Sequence, residues 1–363
     1  MSHYEQRLEA DLEKIRGRVR GVGAEVEAAV TAAVHALLTG NRSRAYEIIL
    51  HDLPINREVR SIDRDCHAFV ARHLPSAGHL RFVSSVLRLI VELERIGDYA
   101  ATICREAVQL SETPTGTVAR DLELMADQSR RALNQAMRAW NEGSAELARG
   151  TVGMTKQAGG ASHKVFADLL REGKKDPRPL KDLFALLVVF NRLDRVIAQA
   201  KNICEETLFA VAGESKAPKR YRVLFVDEKN DCQSQLAEAY ARKAFPESGD
   251  YASAGWAPAA GLEPRCLLFM ERHGLDASRL APTLLEPIHE ELASYYVIVS
   301  LAGDPRPHIP EVPFHTALLE WDVGPSADGL DQERAEKLLE ETYKRIAHEI
   351  RGLMETLRGE EAA

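Results

Sequence analysis

Cysteine is scarce in this 363-residue chain: there are five, at positions 66, 104, 204, 232 and 266, and no two stand in a CxxC spacing. That pattern signals neither a zinc site nor a disulfide framework. Surplus positive charge is also missing. With 47 basic against 55 acidic side chains the formal charge is −8, which argues against a generic nucleic-acid or anionic-membrane binder, because such proteins carry a basic surface. Long apolar runs are absent as well. The longest, LFALLVVF at 183–190, falls far short of the ~20 residues needed to span hydrocarbon. The opening MSHYEQRLEADLEKIRGRVR is charged throughout and lacks the apolar centre of a signal peptide. A cytoplasmic protein with no membrane insertion and no nucleic-acid partner is therefore expected. What is present is ordinary for a soluble globular protein, 45% hydrophobic and 28% charged, too apolar for disorder. The length favours two domains.

Up to about residue 213 the apolar positions have helical spacing. Leu8, Leu12, Ile15, Val19, Val22, Val26, Val30, Val34 and Leu37 recur in steps of three and four, which predicts one long helix with a single buried stripe. Gly40-Asn41 ends it, and Ser43 stands where an N-cap for the next helix is expected. Further helices are predicted to about residue 73, then over 77–110, 117–141, 144–172 and 178–212, with Thr113–Gly116 as the main break. Pro54 is expected to kink the second of them.

Three helices, a break and three helices suggest a duplication, and it is found at an offset of 100. VELERIGDYAATICREA (91–107) lies over NRLDRVIAQAKNICEET (191–207), with Leu93/Leu193, Arg95/Arg195, Ala100/Ala200, Ile103/Ile203, Cys104/Cys204 and Glu106/Glu206 identical. Helical patterning alone rarely matches Arg, Cys and Glu in one register. Two repeats, about 1–112 and 117–213, are expected, each closing its own core. Cys104 and Cys204, set among apolar neighbours, read as small buried fillers.

After a polar linker at 214–220 the pattern changes. Short β-branched runs, Arg222–Val226 and Tyr295–Leu301, alternate with helical segments at 234–245, 262–274, 286–294 and about 329–357. That alternation predicts an open parallel α/β sheet over 221–358. The expected fold class is an all-α twin three-helix bundle followed by an α/β domain.

The phrase ELERIGDYAATICREA, with the upstream run DLPINREVRSIDRDC and LPSAGHLR, resembles the signature of the PhoU family of phosphate-uptake regulators over about residues 1–213. The resemblance implies a non-enzymatic protein that represses phosphate-starvation signalling and acts with a phosphate-transporter ATPase and a sensor histidine kinase, as a homodimer. It also implies acidic residues four apart on two helices of each repeat, which in some members hold iron or another metal. Spacing of four places both oxygens on one helix face, suited to a hard cation. Here Glu94 and Asp98 match, with Asp52 and Asn56 on the partner helix. The second repeat departs from the pattern: Asp194 is present, but Ala198, Thr155 and Gly159 take the other positions. A divalent cation or iron is thus expected in the first repeat only. Gly97, between Glu94 and Asp98, suggests close helix packing there.

VLFVDEKNDCQSQLAEAYAR (223–242) resembles the phosphate-binding loop of low-molecular-weight protein tyrosine phosphatases and the related arsenate reductases, and SAGW (253–256), GLDASRLAP (274–282) and EWDVGPS (320–326) fit later landmarks of that family. In that family a cysteine thiolate attacks phosphorus or arsenic, an arginine six residues on grips the oxyanion, and a late aspartate protonates the leaving group. The corresponding residues here are Asp227, Gln233 and Pro325, with Ser326 replacing the proline after the acid and Lys229 the loop glycine. Cys232 is the second loop cysteine, but no C-x5-R frame starts from it. Asn230 and Ser234 are expected to hold the turn. The helix N-terminus is expected to keep free backbone donors for an anion, with Asp227, Glu228 and Asp231 repelling one against the single charge of Lys229.

The expectation is a non-catalytic regulator of phosphate uptake and phosphate signalling, its second half a pseudoenzyme serving as a docking or dimerisation module or sensing an altered ligand. The alternatives are an arsenate reductase or phosphatase working with phosphate transport, and a metal-binding helical sensor.

Overall fold

A computed structural model of the chain describes residues 3–158, 179–216, 218–309, 311–313, 315–326 and 329–359. It divides into two compact units, Met1–Lys216 and Ala217–Ala363.

The first unit is helical: α1 (His3–Thr39), α2 (Arg42–Arg72), α3 (Ala77–Gln109), α4 (Gly116–Glu142), α5 (Ala145–Ala158) and α6 (Leu180–Ala212). All nine stripe positions of α1, from Leu8 to Leu37, are buried. Among the described residues α1 is also the one helix long and apolar enough to cross a membrane by length and composition, and half of that stretch is buried inside the unit. The turn into α2 is tighter than expected. Asn41, not Ser43, is the N-cap, its side chain accepting from Arg44 N at 3.0 Å. Helix α2 runs through Pro54 uninterrupted. The carbonyl that Pro54 leaves without its helical donor is that of Leu50, a residue 66% exposed. The helix expected over 144–172 is described as far as Ala158, and the remainder lies outside the described residues.

The repeat equivalents Leu93/Leu193, Ala100/Ala200, Ile103/Ile203 and Cys104/Cys204 are fully buried. Burial pushes both thiols up to about 12. One correction concerns the core. The repeats do not close separate cores: a single apolar cluster runs from Leu8 on α1 to Cys204 on α6. The reason is that α3 and α6 pack against each other, so each repeat is a wall of the other. Tyr99 and Gln199, equivalent positions at the offset of 100, meet there, Gln199 Nε2 donating to Tyr99 Oη at 3.1 Å.

The second unit is α/β: β1 (Tyr221–Asp227), α7 (Gln233–Ala244), β2 (Gly249–Gly255), α8 (Pro264–Arg272), a 3-10 segment (Glu286–Ser294), β3 (Val297–Ser300), β4 (Ala317–Glu320) and α9 (Gln332–Arg358). The sheet is parallel, in the order β2-β1-β3-β4. Strand period sets its two faces. Val223, Phe225, Val297 and Val299 enter one core, with α7, α8 and α9, and Leu224, Val226 and Ile298 enter the other, with Leu285, Leu292 and Ile309. Because β1 is flanked by β2 on one side and β3 on the other, the crevice beyond its carboxyl end is the switch point of the sheet, where open α/β folds place their sites. Asp227 is the last residue of β1.

Candidate functional site: a loop closed on its own carboxylate

The loop from Asp227 to the start of α7 keeps the expected turn and changes what the turn encloses. Asn230 is the one non-glycine residue among the described ones with a positive φ, 48°, a conformation that asparagine tolerates better than most residues. Its side chain is fully buried and fully used: Nδ2 donates to Ser234 Oγ at 2.8 Å, while Oδ1 accepts from Thr283 N at 2.7 Å and from Gln235 Nε2 at 2.9 Å. Outside the turn, Ala257 N, Ala259 N and Glu263 N donate to the carbonyls of Glu228, Lys229 and Asp231. The loop backbone is thereby held from the side facing 257–263.

Asp227 faces inward. Its Oδ1 accepts from Asn230 N at 2.6 Å and its Oδ2 from Ser234 N at 2.9 Å, and the residue is 6% exposed. Two of the donors expected to be free for an external anion, Ser234 N in the first turn of α7 and Asn230 N in the loop before it, are taken by the chain's own carboxylate. Burial holds the Asp227 carboxyl above the usual carboxylate range, and the donors from Ser234 and Asn230 offset only part of that rise. The charge of Asp227 thus points into the loop, onto donors an anion would use. Gln233, at the arginine position, turns the other way. Its Nε2 donates to Gly324 O at 3.0 Å and Pro325 O at 3.3 Å, so the residues standing for the oxyanion grip and the acid are tied to each other.

Gly255 shows how closely the loop is packed. A Cβ there would lie 2.6 Å from Glu228 O and 3.0 Å from Asn230 N. Gly255→Ala is expected to displace the loop and destabilise the α/β unit by about 2 kcal/mol, measured by denaturant unfolding. An unchanged midpoint would contradict the packing.

In the helical unit α2 and α3 approach closely beside the expected residues of the first repeat, with Asp52 and Asn56 hydrogen-bonded to each other. A Cβ on Gly97 would lie 3.3 Å from Asp52 Oδ1 and 3.6 Å from Ile55 Cγ2, so glycine permits the close approach. Asp52 is 8% exposed, and its Oδ2 accepts from Asn56 Nδ2 at 3.0 Å. Asp52 Oδ1 and Asn56 Oδ1 are buried without a hydrogen-bond partner. Burial first, then the charge of Asp98, pushes the Asp52 carboxyl up; Glu94 rises by burial and by the charges of Asp98 and Asp52. Among the described residues no three His, Cys, Asp or Glu side chains form a metal-binding group by themselves. In the second repeat Thr155 Oγ1 donates to Val152 O at 2.9 Å, and Gly159 lies outside the described residues.

Sequence reasoning missed Gln235 and the stacked pair of Trp256 and His308. Gln235 is 1% exposed and donates to Asn230 O, Asn230 Oδ1 and Ala281 O. The rings of Trp256 and His308 lie 4.3 Å apart at an interplanar angle of 2°. A polar residue three places after the cap of a buried helix was the available signal for Gln235. His308, in the segment between β3 and β4, gave none.

Comparison with known proteins agrees with both halves. The family described as "PhoU domain" matches residues 19–107, and "Low molecular weight phosphotyrosine protein phosphatase" matches residues 222–363. A phosphate-specific transport system accessory protein PhoU homolog of Pseudomonas putida is 31% identical over 214 residues, covering 58% of this chain and 83% of that protein. The crystal structure of PhoU from Pseudomonas aeruginosa superposes with a TM-score of 0.54 at 29% identity, covering 57% of this chain and 99% of that one. A Corynebacterium glutamicum thioredoxin-dependent arsenate reductase aligns at 21% identity with a TM-score of 0.32, covering 43% of this chain and 75% of that one. The chain belongs to the PhoU family, with a domain like the low-molecular-weight phosphatases fused behind its helical half.

Proposed function

We propose that the chain is a cytoplasmic, non-catalytic regulator that restrains phosphate uptake and phosphate-starvation signalling through contacts of its helical half. The observation that carries this reading is the match of that half to a protein named as a phosphate-specific transport system accessory protein, over 83% of the relative's length. The partners proposed from the family resemblance are the transporter's ATPase and a sensor histidine kinase, with the chain acting as a homodimer. The α/β half serves as a folded module rather than an enzyme. Asp227 occupies two of the loop donors that a phosphate would need, Asn230 N and Ser234 N, and Gln233 is committed to Gly324 and Pro325. Isolation of the tagged full-length chain from solubilised membranes of its host should bring down the phosphate transporter's ATPase. Recovery of the chain without that ATPase, under conditions that keep the transporter assembled, would count against the reading.

A cation in the first repeat deepens this proposal. The orphaned Asp52 Oδ1 and Asn56 Oδ1 are oxygen acceptors of the kind a hard cation takes. Asp52, Asn56, Glu94 and Asp98 would hold it, with water completing the set, and the ion would neutralise the carboxylates and join α2 to α3. Without it, the pH dependence has a defined sign. The folded-state values of Asp52 and Glu94 are raised. Their contribution to stability is therefore complete below the unfolded carboxylate values near ~4 and is lost as pH rises through the raised ones. In chelator-treated protein the Tm of the helical unit should fall between about pH 4 and 7 more steeply than in an Asp52→Asn, Glu94→Gln variant. Manganese added at pH 7 should restore it in the wild type alone. Parallel pH profiles, with no manganese shift, would remove the cation from the account.

A further inference from the structure

Two cysteines are neighbours beside the β1 loop. Cys232 is the N-cap residue of α7, and Cys266 sits in the first turn of α8. Cys266 Sγ is 3.7 Å from the carbonyl oxygen of Cys232, so the Cys266 thiol lies against the residue that carries the second thiol. Backbone contacts hold the two segments together. Glu263 N donates to Asp231 O at 3.0 Å, and the Glu263 carboxylate caps α8 by accepting from Cys266 N at 2.7 Å. Cys266 is 1% exposed, whereas Cys232 is partly open to solvent. The other three cysteines, Cys66, Cys104 and Cys204, are buried in the helical unit.

We propose that Cys232 and Cys266 form a reversible disulfide, a redox modification site that joins the β1 loop to α8. The pair does not use the position of a catalytic nucleophile, which is Asp227. Bond formation requires the sulfurs to close to about 2.05 Å, by side-chain rotation of two residues whose segments are already joined by backbone hydrogen bonds. With a peroxide as oxidant, the Cys232 thiolate attacks one peroxide oxygen and the O–O bond breaks. The departing hydroxide takes up a proton and leaves as water. Cys266 sulfur then attacks the Cys232 sulfenic acid, expelling the second oxygen as water with the Cys266 proton. Two thiols are oxidised to one disulfide, and one peroxide is reduced to two waters. The hydrogen bond with Cys266, burial and the charges of Glu263 and Asp231 all hold the Cys232 thiol up, so its thiolate is sparse and oxidation quickens with rising pH. Because Cys232 precedes Gln233, the cross-link also fixes the residue that ties the loop to Gly324 and Pro325.

Full-length protein treated with hydrogen peroxide and analysed by mass spectrometry under denaturing conditions tests this. The expected result is a loss of about 2 Da from a disulfide, a peptide joining positions 232 and 266, and reversal by dithiothreitol. The bond closes a separation of 34 residues, and the oxidised α/β unit should melt about 10 °C higher. Cys232→Ser and Cys266→Ser should each abolish the cross-link, while the triple variant Cys66→Ser, Cys104→Ser, Cys204→Ser should retain it. The wild-type peptide map does not depend on any variant folding. Oxygen adducts on Cys232 without a cross-link, a disulfide between other cysteines, or no mass change would each overturn the proposal.

Discussion

Full-length protein supplied with p-nitrophenyl phosphate is expected to release nitrophenol no faster than its Asp227→Ala variant, and no arsenate is expected to be reduced in the presence of thioredoxin. Enzymes raise such rates by about 10⁶-fold or more over the uncatalysed reaction. That acceleration requires a nucleophile, a charged grip on the oxyanion and an acid for the leaving group. At the nucleophile position stands a carboxylate already bound by Asn230 N and Ser234 N. At the grip position Gln233 carries no charge and spends its amide on two carbonyls. At the acid position Pro325 has no proton to give. For the same reasons calorimetry should find no sub-millimolar phosphate binding. Turnover that disappears in the Asp227→Ala variant would mean that the loop opens and acts as an enzyme after all.

Asp227→Ala should in turn be one of the most destabilising single changes in the α/β unit. It strands the amides of Asn230 and Ser234, each a buried donor worth about 1–3 kcal/mol when left unpaired. Relief from burying a carboxylate offsets part of this, leaving a loss of about 3 kcal/mol, or roughly 10 °C in Tm for a unit of this size. Asp227→Asn keeps one acceptor oxygen and should lose less than half as much. Differential scanning calorimetry separates these outcomes. A neutral or stabilising Asp227→Ala would show that the carboxylate is a buried burden rather than the centre of the loop.

The helices were legible because their signal is repetitive. Every stripe position read on α1 is buried, and the offset of 100 places Tyr99 and Gln199 in contact. What the pattern could not give is how the repeats join. Periodicity marks a buried face without naming its partner, so two closed bundles and one shared core read alike. In the α/β half the β-branched strands β1 and β3 were visible. Strand β2, GDYASAG, and β4, ALLE, were not, because small or leucine-rich runs of a few residues carry no strand signal of their own. The loop failed differently. Replacement of cysteine and arginine was plain from the residues, and charge counting placed Asp227 among the groups repelling an anion, without naming the donors it takes. Only the hydrogen bonds to Asn230 N and Ser234 N reveal that a carboxylate at the end of β1 can fill an anion site from within. Likewise the spacing of Glu94 and Asp98 was readable, whereas the orphaned oxygens of Asp52 and Asn56 depend on how closely α2 crosses Gly97.

A reporter for phosphate-uptake genes, read in phosphate-rich medium in a host lacking this gene, tests the regulatory claim most directly. The expected result is that the reporter rises when the gene is deleted and that the full-length chain restores repression. An Asp227→Cys, Gln233→Arg variant, stable and equally abundant, should restore it to the same degree, because the contacts of the helical half carry the output and the loop chemistry does not. A reporter unmoved by the deletion would contradict the claim, as would repression that fails with the loop variant.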